Sequence, residues 1–302
     1  MAAWTDKVRS KKMDELLLNA YAKINLSLDV LKRREDGYHD LRMVMQTIDV
    51  SDEIRLEKTN ADGVFELSTN KPSLPCDEKN LMVKAAKLMW EKYHLPGGLR
   101  MHLTKNIPMA AGLAGGSTDA AAVFNGINRM YDCNASVSEL QSLGVTIGAD
   151  IPYCIVGGTY LAEGIGEVLT PLKELPAVPL VLIKPDFDVS TGYVYTHLTL
   201  DETTKHPMIE EQIRAITASD MPKMASYMGN VLESVTVLRY PEIDRIKKDL
   251  TDLHSFGAMM SGSGPSVFGL FENVKIAKEA AGILRSKYPK AEAFVTSFIQ
   301  PK

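Results

Sequence analysis

The residues of this chain best suited to chemistry lie in Ile107-Pro-Met-Ala-Ala-Gly-Leu-Ala-Gly-Gly-Ser-Thr-Asp119. Three glycines and three alanines leave the backbone room to approach a ligand closely. The run opens into Ala120-Ala-Ala-Val-Phe-Asn-Gly-Ile-Asn-Arg-Met130, which reads as a helix with Ser117, Thr118 and Asp119 as its N-cap chemistry. A small-residue loop feeding a helix N-terminus suits an anion, because free N–H groups and the helix dipole converge on the guest. The natural guest is a polyphosphate. A tight packing turn, in which small residues let a helix sit close to a sheet, is the other reading. The common nucleotide motifs are absent. No Gly-Lys pair supports a Walker A loop, and Gly112, Gly115 and Gly116 lack the dinucleotide spacing. Neither His-Arg-Asp nor Asp-Phe-Gly occurs.

Three other segments carry candidate chemistry. In Asn19-Ala-Tyr-Ala-Lys-Ile-Asn-Leu-Ser-Leu28, a strand puts Lys23 and Asn25 on one face and Ile24, Leu26 and Leu28 on the other. That is either a directed polar pair or an ordinary solvent-facing edge. In Gly148-Ala-Asp-Ile-Pro-Tyr-Cys-Ile-Val-Gly-Gly158, Asp150 stands alone among apolar residues and must cap a helix, be exposed or be paired. Met259-Met-Ser-Gly-Ser-Gly-Pro-Ser-Val-Phe268 is a second glycine-rich turn leading into a strand, readable as a hairpin or βα turn.

The elements that must position these residues are mixed. Strands are expected near Glu15–Asn19, Ile24–Lys32, Leu41–Val50, Glu53–Lys58 and Arg100–Thr104, so the opening half suggests a mostly antiparallel sheet. Asn80–His94 reads as a helix stopped by Pro96-Gly97, and Ser136-Val-Ser-Glu139 is a capping box. Ala177–Ile183 reads as a buried strand. Helices follow near Met208–Ile216, Pro222–Glu233, Pro241–Leu250 and Lys275–Lys287, with strands near Ser266–Glu272 and Glu292–Ile299. A change of domain is placed near Glu163-Gly-Ile-Gly166. This gives a flexible extension over 1–12, an N-terminal domain over 13–165 and a C-terminal domain over 166–302.

Composition bounds the function. The 302 residues suffice for two domains. A net charge of −4 argues against broad nucleic-acid or anionic-membrane binding. The three cysteines, Cys76, Cys133 and Cys154, are far apart, which fits reduced thiols in a cytoplasm and gives no zinc pattern. No apolar run is long enough to span a bilayer, and the polar, basic start lacks the core of a signal peptide.

Taken together, these segments resemble the GHMP kinase superfamily. That superfamily carries a Lys-x-Asn-Leu strand near the start, a Pro-x-x-x-Gly-Leu phosphate loop ending in Ser-(Ser/Thr), and a Gly-(Ser/Thr)-Gly-Pro turn near the end. All three occur here in order. The tightest resemblance is to its branch acting on a cytidine diphosphate-linked methylerythritol. It rests on Ala20–Leu26, Arg34-Glu-Asp-Gly-Tyr-His-Asp-Leu41 and Gly148–Pro152, with Asp-Gly-Tyr-His the discriminating stretch. The loop departs from many relatives in having Ala110, Ala111 and Ala114 where they carry glycine.

The resemblance implies an α+β, two-lobed GHMP kinase fold, with a deep cleft between an N-terminal ATP-binding lobe and a C-terminal substrate lobe. It implies transfer of the ATP γ-phosphoryl to the acceptor's 2-hydroxyl in the non-mevalonate isoprenoid route, with Mg2+ expected to come with ATP and no dedicated protein metal site. ATP would be held by Pro108, Met109, Ala110, Ala111, Gly112, Leu113, Ala114, Gly115, Gly116, Ser117 and Thr118. Lys23 and Asp150 would be catalytic, Asp150 accepting the hydroxyl proton and Lys23 keeping it ionised. Asn25 would fix Lys23 or the substrate. Tyr38 and Tyr195 would stack on cytosine, with Tyr193 the runner-up to Tyr195. His39 would read the polar edge of the base, and Thr191 would touch the substrate. The rival readings are a GHMP kinase acting on homoserine or a mevalonate derivative, and a nucleotide-binding sensor without turnover.

Overall fold

The computed structural model describes residues 13–301, so the expected extension over 1–12 lies outside the described residues. The first half forms β1 (Glu15–Arg33), β2 (His39–Thr59), β3 (Phe65–Thr69), α1 (Leu81–Tyr93), β4 (Gly98–Thr104), α2 (Gly115–Met130), α3 (Val137–Gly144), α4 (Ile151–Val156), β5 (Thr159–Gly164) and β6 (Val168–Pro171). The second forms β7 (Pro179–Lys184), α5 (Thr191–His197), α6 (Ile209–Ala218), α7 (Met221–Ser226), α8 (Glu233–Arg239), α9 (Glu242–Asp252), β8 (Gly257–Met260), β9 (Val267–Leu270), α10 (Val274–Lys287) and β10 (Glu292–Ser297).

The strands divide into two sheets. One runs β3-β4-β2-β5-β6 with β1 also paired to β2, and the other runs β10-β7-β9-β8. Apart from the parallel β3–β4 pair the ladders are antiparallel. The β5–β6 hairpin belongs to the first sheet, so the chain changes sheet between Pro171 and Pro179.

The four strands expected before residue 60 are two long ones. Their register shifts between Tyr21 and Lys23, Asn25 and Ser27, and Val30 and Lys32. These bulges mix the alternation of faces. Ile24 and Leu26 join one apolar cluster with Leu180, Leu182 and Phe268 of the second sheet. Leu28, expected on their face, instead lines the same cavity as Lys23. The expected helix over Pro222–Glu233 is also two helices. Between them Leu28 donates its N–H to Gly229 and accepts from Val231 N–H, a strand-like pairing that interrupts helical bonding.

Both helices that flank the first sheet bury apolar stripes. Met82, Ala86, Met89 and Trp90 of α1 and Phe124, Ile127 and Met130 of α2 pack with Ile54, Leu56 and Leu103. Each of the larger aliphatic, Met and Phe side chains contributes about 1.5–3 kcal/mol by leaving water. The two sheets are joined by apolar packing and by the end of β10: Ile299 donates to Thr47 carbonyl at 3.1 Å, and Gln46 Nε2 donates to Ile299 carbonyl at 3.0 Å.

Candidate active site

Helix α2 starts at Gly115, earlier than the N-cap chemistry of Ser117, Thr118 and Asp119 requires. Its N-cap is Ala114, in the left-handed region at φ 56°, with no side-chain cap. Ser117 and Thr118 lie inside the first turn. The Thr118 hydroxyl instead donates to Tyr21 carbonyl at 2.7 Å, and the Asp119 carboxylate accepts from Lys105. The first intrahelical bond runs from Thr118 N–H to Ala114 carbonyl at 2.9 Å, so the amides of Gly115, Gly116 and Ser117 have no helical acceptor. An uncapped helix end of small residues opening on a cavity is the arrangement that favours phosphate. Ala110 and Ala114 adopt φ of 50° and 56°, so two of the three alanines sit where glycine would be unstrained.

The cavity holds about 740 Å³ and is walled by both halves of the chain. Pro108 to Ser117 form one side. Lys23, Asp150, Tyr38, His39, Thr191 and Tyr195 face it, as do Gly262 and Ser263 of the second glycine-rich turn. Asn25 and Thr118 do not line it; both are buried behind the wall.

Lys23 is 5% exposed, which rules out the solvent-facing edge. Its ammonium donates to Asn25 Oδ1 at 2.8 Å, so Asn25 fixes Lys23 rather than contacting the cavity. The bulge beside Lys23 also ties β1 to the loop, since Lys23 N–H donates to Leu113 carbonyl at 3.2 Å. Asp150 is the N-cap residue of α4, but its carboxylate caps nothing. Lys23 and Asp150 share the cavity without forming an ion pair, so each charged end remains free to engage a ligand.

Three aromatic groups, Tyr38, His39 and Tyr195, line the same cavity. Gly37, at φ 87°, closes the Arg34–Tyr38 hairpin, which carries Tyr38 at 58% exposure. The His39 and Tyr195 rings lie 5.1 Å apart and tilted at 33°, against each other rather than spread around a gap. Burial, and then Arg33, hold the His39 imidazole below its ordinary pKa; burial, and then the Asp150 charge, push the Tyr195 phenol up. Tyr193 points elsewhere, stacked on His197 at 3.9 Å beneath the Arg239 guanidinium, so Tyr195 is the α5 ring in this cavity. The Thr191 hydroxyl is hydrogen-bonded to Ser263 Oγ at 2.8 Å.

Sequence reasoning passed over several wall residues. Leu74, Pro75, Lys79, Asn80 and Leu81 extend the cavity beyond the phosphate loop, and Lys105 and Asp119 lie behind it. Asn80 reads in the sequence only as the first residue of a helix; it is that helix's N-cap, accepting from Met82 N–H at 2.9 Å.

Comparison with known proteins identifies this arrangement. Residues 80–158 match the GHMP kinases N terminal domain and residues 211–290 the GHMP kinases C terminal domain. The 4-diphosphocytidyl-2-C-methyl-D-erythritol kinase of Lachnoclostridium phytofermentans is 47% identical over 290 residues, covering 96% of this chain and 99% of that protein. The protein of the same name from Acetivibrio thermocellus is 48% identical over 288 residues, covering 95% and 100%. The chain belongs to the 4-diphosphocytidyl-2-C-methyl-D-erythritol kinase family of the GHMP kinases. A crystal structure of 4-(cytidine 5'-diphospho)-2C-methyl-D-erythritol kinase superposes with a TM-score of 0.79 at 33% identity, covering 94% of this chain and 99% of that one. A homoserine kinase from Cytophaga hutchinsonii superposes with a TM-score of 0.78 at 20% identity, covering 99% and 98%, which extends the shared fold to kinases of another acceptor. The two-lobed α+β expectation is thereby met.

Proposed function

We propose that this enzyme transfers the γ-phosphoryl group of ATP to the 2-hydroxyl of 4-diphosphocytidyl-2-C-methyl-D-erythritol, a step toward isoprenoid precursors that does not use mevalonate. The observation that carries the mechanism is that Lys23 and Asp150 face one cavity. The uncapped start of α2 and the His39–Tyr195 pair line that same cavity.

The acceptor is a tertiary alcohol, crowded and weakly nucleophilic, so the protein's task is placement and charge stabilisation. Asp150, with no hydrogen bond of its own to break, takes the hydroxyl proton or holds the hydroxyl in line. Lys23, held by Asn25, supplies positive charge where the acceptor oxygen and the transferring phosphoryl meet. Residues 108–118 hold the triphosphate, chiefly through the amides of Gly115, Gly116 and Ser117. Mg2+ accompanies the nucleotide and offsets its charge; no protein ligand is assigned to it. Cytosine is placed by Tyr38 and Tyr195, with His39 reading its polar edge and Thr191 beside the diphosphate or polyol. For His39 to read the base it must part from Tyr195 or present its edge beside it.

We infer a cytoplasmic reaction with small molecules as its partners, a reading supported by three cysteines spaced far apart in the sequence and unpaired. No helix among the described residues is long and apolar enough to cross a membrane. Phosphorus NMR of the acceptor after incubation with ATP tests the reading. A new phosphate monoester on the cytidine diphosphate-linked product is expected. ATP converted to ADP and inorganic phosphate, with the acceptor unchanged, would contradict it.

A further inference from the structure

One charged cluster on the cavity wall has no part in the mechanism above. The Lys105 ammonium donates to Asp119 Oδ2 at 2.8 Å and also to Asp52. All three side chains are buried. Asp52 is fully engaged, since Asn106 and Ile107 N–H also donate to its Oδ1 at 2.6 and 2.8 Å. Asp119 is not. Its Oδ1 is buried without any hydrogen-bond partner, and the residue is only 3% exposed. Lys105 and Asp119 both line the cavity. A Cβ on Gly115 would stand 2.8 Å from Lys105 Nζ, so the cluster lies directly behind the phosphate loop.

With both acids ionised, two acids against one base give this buried cluster a net negative charge where a polyphosphate must settle. Little water intervenes to screen the repulsion. One added proton removes it. It also removes the charge from a buried carboxyl oxygen that no donor stabilises. The proton belongs on Asp119, because Asp52 already has three donors.

We propose that Asp119 is a positioning residue of the nucleotide site, which takes up a proton when the phosphates of ATP bind at alkaline pH. The proposal rests on the assignment of residues 108–118 to the phosphates. Burial already pushes the Asp119 carboxyl up to about 8, with Asp52 adding to the rise and Lys105 opposing it. The other titratable groups near it are Cys154 on α4, whose thiol feels the Asp119 charge, and Lys23 and Asp150 on the same cavity. Bound phosphates raise Asp119 further. Well below about pH 8 the carboxyl is protonated with or without ATP, so affinity there does not vary with pH through this group. Above about pH 8 the free enzyme loses the proton and the complex keeps it, so affinity falls by up to about tenfold per pH unit.

Calorimetric titration of MgATP into the full chain at about pH 8.5, in two buffers of different ionisation enthalpy, counts the protons exchanged. The wild type should take up roughly three-quarters of a proton, the share of Asp119 that is ionised in the free enzyme at that pH, and Asp119→Asn none. Across the same alkaline range the wild-type affinity should fall while that of Asp119→Asn stays level. ATP binding to the wild type without proton uptake, or uptake retained in Asp119→Asn, overturns the proposal and leaves the phosphate site standing. Absence of ATP binding to the wild type overturns both. If Asp119→Asn does not fold, the wild-type count still decides whether a proton is bound. The infrared difference spectrum between the ATP-bound and free protein then decides where, since a protonated-carboxyl stretch must grow on binding and its absence refutes the assignment.

Discussion

Gly112 and Ser261 touch backbone to backbone. A Cβ on Gly112 would lie 2.2 Å from the Ser261 carbonyl oxygen, and Ser261 Oγ donates to Gly112 carbonyl at 2.9 Å. The second glycine-rich turn therefore supports the phosphate loop from behind. Asn230 holds that turn in place, donating to the Met260 and Gly262 carbonyls at 2.9 and 2.7 Å.

Gly112→Ala should break this contact. The residue has φ +73°, and the added methyl meets backbone rather than a movable side chain. A destabilisation of about 1–3 kcal/mol is expected, together with weaker ATP binding. Denaturant unfolding and nucleotide titration measure the two effects; an unchanged protein would mean the loop and turn are not packed as described.

Asp150→Asn keeps the size of the side chain and removes the proton acceptor. Turnover should fall by roughly 10²–10⁴-fold with ATP affinity little changed, the lower end fitting a loose transition state. Near-normal turnover in the folded variant would remove Asp150 from the chemistry.

Tyr38→Ala and Tyr195→Ala should each remove a stacking face worth about 1–3 kcal/mol, raising the Michaelis constant for the cytidine substrate and leaving that for ATP flat. His39→Ala should relax the choice between cytidine- and uridine-linked acceptors, because it removes hydrogen-bond readout. If neither tyrosine variant changes either constant, the ring pair is packing alone.

His39 also gives a pH signature. Its folded-state pKa lies below the ordinary value of about 6.5, so the unfolded chain binds the proton first as pH falls. The stability that neutral His39 contributes is present above that value and is lost as pH falls through the folded pKa. Denaturation midpoints should drop less on acidification in His39→Gln than in the wild type. Equal drops would show that His39 does not titrate as described.

Much of this was readable before the structure. Small residues before an alanine-rich helix pointed to the uncapped helix start on the cavity, and strand alternation paired Lys23 with Asn25. Boundaries set by tertiary contacts were not readable. Leu28 changes face because of a bulge between Asn25 and Ser27, which leaves no local mark. The glycine at 115 is needed because Lys105 stands 2.8 Å from its would-be Cβ, not because of a positive φ. Lys105 and Asp52 go unnoticed in the sequence and Asp119 reads only as helix-capping chemistry, because the three come from different elements and look separately like solvated or capping charges. The one hint was an aspartate heading an otherwise apolar helix.

A coupled assay of ADP release with three acceptors tests the central claim most directly. The cytidine diphosphate-linked methylerythritol should support ATP-dependent turnover, with homoserine and mevalonate giving no more than the rate without acceptor. Turnover with homoserine or mevalonate, and none with the cytidine diphosphate-linked acceptor, would contradict the account.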